Sequence, residues 1–120
     1  MKTILYIAFG GALGSVLRYL TAQTLSKYND FPYGTFVANI VGCLLIGLFF
    51  GYFEKQNGFS QDLKFFLITG LCGGYTTFST FSNENIQLIH HNQIGTALLY
   101  TVVSIILGFG MTFFGLWLTK

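Results

Sequence analysis

The sequence predicts an all-α membrane protein with four transmembrane helices, the third of them broken near its middle. Three observations carry that expectation. Hydrophobic residues make up 52% of the 120 and charged residues 8%, against about 25% charged in soluble domains, so most of the surface must face lipid. Four apolar segments are separated by short polar breaks, and each can span ~30 Å of hydrocarbon at ~1.5 Å per residue. The third segment alone places glycines and then hydroxyls at mid-span.

The first segment covers residues 4–25. It starts after Lys2 as a secretory leader would, but its glycine-rich apolar texture continues past Arg18. That pattern reads as a first membrane helix rather than a cleaved signal. Polar residues at 26–30 follow, and Pro32 marks a turn or a helix start. The second segment covers 33–53, with a polar loop over 54–62. The third covers 63–89 and closes at His90 and His91, which read as a solvated loop. The fourth covers 94–118. Residues 1–120 thus form one four-helix unit.

Most of the 15 glycines lie inside these segments. Lipid provides no hydrophobic drive between helices, so small residues that allow close approach hold them together. Gly10, Gly11 and Gly14 do this for the first helix, Gly34, Gly42, Gly47 and Gly51 for the second, Gly108 and Gly110 for the fourth. Cys43 and Cys72 sit in apolar runs and read as small packing residues, with no disulfide framework and no metal-ligand spacing.

In the third segment Gly70, Gly73 and Gly74 precede Thr76, Thr77, Ser79 and Thr80. This is poor helix material. Unwound backbone in a membrane survives only where protein or water satisfies it, and a broken helix at mid-bilayer points to an ion site. The alternative is a continuous glycine-rich crossing whose hydroxyls bond back to i−4 carbonyls.

Charge excludes several classes. The net charge is +2 and the basic residues are scattered, so no nucleic-acid footprint forms. No triad, phosphate loop or pair of intramembrane carboxylates exists, so the chain does not read as an enzyme. Lys2, Lys55, Lys64 and Lys120 fall on one side, with Lys27 and the deeper Arg18 toward the other. This slight bias favours a cytoplasmic N-terminus and is compatible with insertion both ways round.

Polar side chains at membrane depth are the candidate functional groups. Arg18 reads either as a snorkelling or paired structural residue or as an anion attractor at a vestibule. Asn39 reads either as an interhelical hydrogen-bond partner or as an NH₂ donor to an anion. Phe78 and Phe81 share a helical face, a spacing that ordinarily serves packing; flanked by Ser79 and Thr80, their electropositive ring edges read alternatively as a receptor for a small anion. Glu84, one turn on, reads as a group near the mouth that repels or relays anions, or as a headgroup-level solubiliser. Tyr100 and Ser104 form an i, i+4 stripe that lines a pore or bonds between helices.

Three stretches also resemble one family. Residues 10–19 (GGALGSVLRY), 34–42 (GTFVANIVG) and 70–81 (GLCGGYTTFSTF) are similar to the helix motifs of the Fluc fluoride channels, also called the CrcB family. The resemblance implies an antiparallel dimer with two fluoride pores and a structural Na+ at the dimer centre, held by main-chain carbonyls of Gly73 and Thr76. It implies that Phe78, Phe81, Ser79 and Thr80 line the pore, that Asn39 is an essential donor and that Arg18 borders the vestibule. The fourth helix matches more loosely, so Tyr100 and Ser104 rest on less. It further implies a multi-pass protein of the bacterial cell membrane. A small multidrug-type proton-coupled transporter is the rival of similar size. It requires a carboxylate in the first helix, where this sequence has no Asp or Glu. A non-transporting assembly subunit would share the packing glycines but leave the hydroxyl-rich break unexplained.

Overall fold

A computed structural model describes residues 1–25, 31–55 and 61–120. The polar connection read at 26–30, with Lys27, and residues 56–60 of the loop read at 54–62 lie outside the described residues, while the flanks of that loop are helical, in Tyr33–Lys55 and Gln61–Lys64. Every regular element among those described is helical. Helix α1 is Lys2–Leu25 and α2 is Tyr33–Lys55. The third crossing has two parts. Its first part, α3, begins as Gln61–Lys64, continues as a π-helix over Phe65–Cys72 and ends with one α-turn at Gly73–Tyr75. Its second part, α4, is Phe78–His90, and α5 is Ile94–Leu118.

Helices α1, α2 and α5 are each long and apolar enough to cross a membrane alone. The third crossing is not, because Thr76 and Thr77 are extended, with φ/ψ of −87°/156° and −154°/119°. The broken third helix is therefore present. It breaks at the threonine pair, two residues beyond Gly73 and Gly74, which stay helical. The turn after α4 is made by Asn92 at φ 60°, a left-handed value that Asn tolerates. His90 and His91 are exposed there, with His91 Nδ1 2.7 Å from the Gln87 carbonyl.

Glycines set two tight seams. Between α1 and α3, a Cβ on Gly14 would run into the Leu71 carbonyl, one on Gly70 would lie 2.9 Å from Gly10 Cα, and one on Gly74 would lie 2.6 Å from the Gly11 carbonyl. Between α2 and α5, a Cβ on Gly47 would strike the Thr112 carbonyl, and one on Gly115 would lie 2.7 Å from the Leu44 carbonyl. Thr112 adds a hydrogen bond to the Cys43 carbonyl at 3.2 Å. Gly110, read as a packing glycine, faces open space instead, and Gly115 does that work. Gly108 sits beside Cys43, where a Cβ would lie 3.4 Å from its Sγ, and Cys72 is fully buried.

The seams give a direct contrast. Gly14→Ala forces α1 and α3 apart, at a cost of ~1–3 kcal/mol for overpacking, and should lower the midpoint of thermal unfolding in detergent. Gly110→Ala should leave it unchanged. Equal effects at both positions would contradict the packing described.

Candidate functional site at the helix break

The site is built on one stripe of α2. Thr35, Asn39 and Gly42 are spaced i, i+4, i+7 and so share a face. Each receives a different part of the third crossing. Asn39 Nδ2 donates to the Thr77 carbonyl at 3.1 Å, and the Thr77 N–H donates to Asn39 Oδ1 at 2.8 Å. The primary amide thus satisfies both backbone groups of an extended residue at membrane depth. Gly42 leaves the notch into which the Thr76 methyl packs. Thr35 Oγ1 donates to Glu84 at 2.8 Å.

The amide bridge has a consequence upstream. In an uninterrupted helix the Thr77 N–H would serve the Gly73 carbonyl. Here that donor goes to Asn39, and the Gly73 carbonyl loses its helical partner. Gly73 is exposed and Gly74 half-buried. The Gly74 carbonyl is taken by Arg18 Nε at 3.0 Å. A guanidinium on the last carbonyls of a helix complements the negative end of its dipole. The terminal nitrogens of Arg18 bond nothing among the described residues.

Downstream, Thr77 caps α4. Its Oγ1 accepts from the Thr80 N–H at 3.1 Å and donates to Thr80 Oγ1 at 3.2 Å. Its single proton is then committed, so the Ser79 hydroxyl, 3.2 Å away, donates to it. Thr80 keeps its own proton uncommitted among the described residues. So does the second Nδ2 hydrogen of Asn39. The break therefore offers two neutral donors, and the N-terminus of α4 adds the positive end of its dipole.

Phe78 and Phe81 lie with ring centroids 5.8 Å apart at 44°. Phe78 is 78% exposed, whereas Phe81 is half-buried against Tyr100, edge-on at 4.9 Å. Tyr100 is fully buried and donates to Glu84 at 2.8 Å. Glu84 thus turns inward and accepts from two hydroxyls on two helices, and it is not a free headgroup-level carboxylate. Tyr100 bonds between helices, as one of its two readings held. Ser104 Oγ is buried with no hydrogen-bond partner among the described residues.

Sequence reasoning missed three participants. Thr35 donates to Glu84, and Asn85 accepts from Thr101 at 3.1 Å while donating to the Phe81 carbonyl. Tyr75 shares a hydrogen bond with Thr21 at 3.0 Å. A polar residue inside an apolar segment was the available signal for each. No group of three or more His, Cys, Asp or Glu side chains that could hold a metal exists among the described residues.

A membrane helix interrupted at two extended residues and braced by a neighbouring amide defines the class: a polytopic helical membrane protein with a broken crossing. The comparisons place it within that class. Residues 5–116 match the family model described as CrcB-like protein, Camphor Resistance (CrcB), and the chain belongs to the CrcB family. It is 67% identical to the fluoride-specific ion channel FluC of Flavobacterium psychrophilum, covering all of this chain and 98% of that protein. It is 43% identical to FluC of Phocaeicola vulgatus, with both chains fully covered. FluC of Bacteroides fragilis is 44% identical over 90% of this chain and 88% of the relative. The protein is a multi-pass membrane protein and its relatives are bacterial.

The amide bridge can be tested by itself. Asn39→Asp keeps the acceptor for the Thr77 N–H but sets a carboxylate oxygen against the Thr77 carbonyl. Stability should fall by ~1–3 kcal/mol, the cost of an unsatisfied buried polar group, as read by denaturation of the detergent-solubilised protein. Stability equal to wild type would show that the bridge does not hold the break.

Proposed function

We propose that the protein is a fluoride-selective channel that lets fluoride leave the cell passively, and that it catalyses no reaction. One observation carries the reading: a helix break braced by Asn39 sets neutral N–H and O–H donors beside the Phe78–Phe81 pair, while the Arg18 guanidinium is engaged on the Gly74 carbonyl. Fluoride hydrates strongly, so a dry path must replace water with fixed donors. A full positive charge would trap the ion, whereas conduction needs binding weak enough to release it. The names borne by its relatives, at up to 67% identity, support the same reading, and nothing favours a proton-coupled transporter.

On this reading the pore runs past Phe78, Phe81, Ser79 and Thr80. The spare hydrogens of Asn39 and Thr80 meet the ion, and the phenylalanine edges narrow the path against chloride. The unpartnered hydroxyl of Ser104 supplies a further donor on the Tyr100 side. Arg18 borders the aqueous vestibule, its terminal nitrogens drawing anions in. Glu84 bounds the far end, where it orients the hydroxyls of Thr35 and Tyr100.

The chain acts as an antiparallel dimer, with itself or with a related subunit of opposite orientation. Gly73 and Phe78, both exposed beside the break on the single chain, suit a face covered by a second copy. The carbonyls of Gly73 and Thr76 would hold Na+ there. The residues fit that role: Gly73 has lost its helical donor, and the extended Thr76 turns its carbonyl out of the helix. Such an ion supplies positive charge that offsets anion entry and satisfies the exposed carbonyls.

Reconstituted into liposomes, the protein should dissipate a fluoride gradient rapidly and electrogenically while leaving chloride in place. Phe78→Ile and Phe81→Ile should each slow fluoride efflux by roughly three- to tenfold, the equivalent of one lost aromatic-edge interaction, with the oligomer intact on gel filtration. Absence of flux from folded wild type would refute the channel. Unchanged flux in both variants would remove the two rings from the pore.

A further inference from the structure

Tyr75 ends α3 one residue before the extended pair, and nothing in the pore described above uses it. Its hydroxyl lies 3.0 Å from Thr21 Oγ1 on α1. Thr21 has one proton, already given to the Leu17 carbonyl at 2.8 Å. Thr21 therefore accepts and Tyr75 donates. The ring lies against α2, where a Cβ on Gly42 would meet Tyr75 Cδ2 at 3.7 Å. The Tyr75 backbone nitrogen presses on α1, 2.8 Å from where a Gly14 Cβ would stand. The side chain thus ties both neighbouring helices to the end of α3.

The Tyr75 side chain borders an open groove of about 220 Å³ that it shares with Leu17, Thr21, Val41, Leu45 and Leu71. The hydroxyl bond to Thr21 therefore adds to the ring's packing on α2 in holding the side chain. What it holds is the backbone between Gly74, whose carbonyl takes Arg18, and Thr76, whose methyl fills the notch at Gly42.

We propose that the Tyr75–Thr21 hydrogen bond is a positioning device for the carbonyls of Gly73 and Thr76, setting how tightly they hold a monovalent cation without itself touching fluoride. The inference rests on the channel reading above. Tyr75 and Thr21 are positioning residues, because they act through the backbone on either side of Tyr75.

The test titrates sodium against fluoride efflux from liposomes, and in parallel measures binding of radiolabelled sodium to the purified protein in detergent. Tyr75→Phe and Thr21→Val should each raise the half-saturating sodium concentration by roughly fivefold, the equilibrium equivalent of one neutral hydrogen bond. Sodium binding should weaken by the same factor, with efflux at saturating sodium unchanged. The double variant should be no worse than either single one, since both remove the same bond. Thr21→Ser, which keeps the acceptor, should behave as wild type. Wild-type sodium affinity in Tyr75→Phe, or additive losses in the double variant, would overturn the proposal. Wild type that carries fluoride but neither binds nor needs sodium would overturn it while leaving the channel standing. Wild type that carries no fluoride would overturn the channel reading, and this proposal with it.

Discussion

Two hydrogen bonds between the Asn39 amide and the backbone of Thr77 are the interaction on which the structure depends. An extended residue within a membrane crossing leaves an N–H and a C=O without helical partners. In hydrocarbon each unsatisfied group costs several kcal/mol, on the order of the stability of a small protein. A primary amide is the side chain that presents one donor and one acceptor side by side. It therefore stands in for a strand neighbour, and the break becomes affordable at a single residue of α2.

The rest of the site follows from where that break falls. It places two helix ends at mid-membrane, and the ends differ in sign. The carbonyl end of α3 is negative and suits a cation, the guanidinium of Arg18 included. The amide end of α4 is positive and suits an anion, with the Thr77 cap using one N–H and the side-chain donors adding to the rest. One interruption thus creates a cation-favouring and an anion-favouring place, separated by two residues. The glycine seams hold both halves in register. Without Gly14 and Gly70 the π-helical part of α3 could not lie backbone-to-backbone on α1, and without Gly42 the Thr76 methyl would have no room.

Much of this was legible in the sequence, for physical reasons. Hydropathy bounds a crossing sharply, so the first, second and fourth segments match α1, α2 and α5 to within a few residues. The break was legible because Gly and Thr side by side resist helix. Its exact residue was not: the glycines and the threonines that follow them share the signal, and only the fold shows that Gly74 serves close approach to α1 while the threonines unwind. The π-helix over Phe65–Cys72 has no local signature, since its extra residue per hydrogen-bonded ring is accommodated by packing against α1. Spacing along one helix places Glu84 one turn beyond Phe81 but cannot show its partners, Thr35 and Tyr100, which lie 49 and 16 residues away. Asn39 was recognised as a residue that must find a partner, but the partner's being backbone required the fold.

The central claim concerns that amide, and magic-angle-spinning NMR of the protein in lipid addresses it most directly. With ¹⁵N on the Asn39 side chain and ¹³C on the Thr77 carbonyl, a resolvable through-space dipolar contact is expected, in keeping with an Nδ2···O distance of 3.1 Å. The Thr77 amide should also show no hydrogen bond to the Gly73 carbonyl. A Thr77 amide bonded to Gly73, with the Asn39 nitrogen remote, would mean that the third crossing is a continuous helix and that the site described does not form.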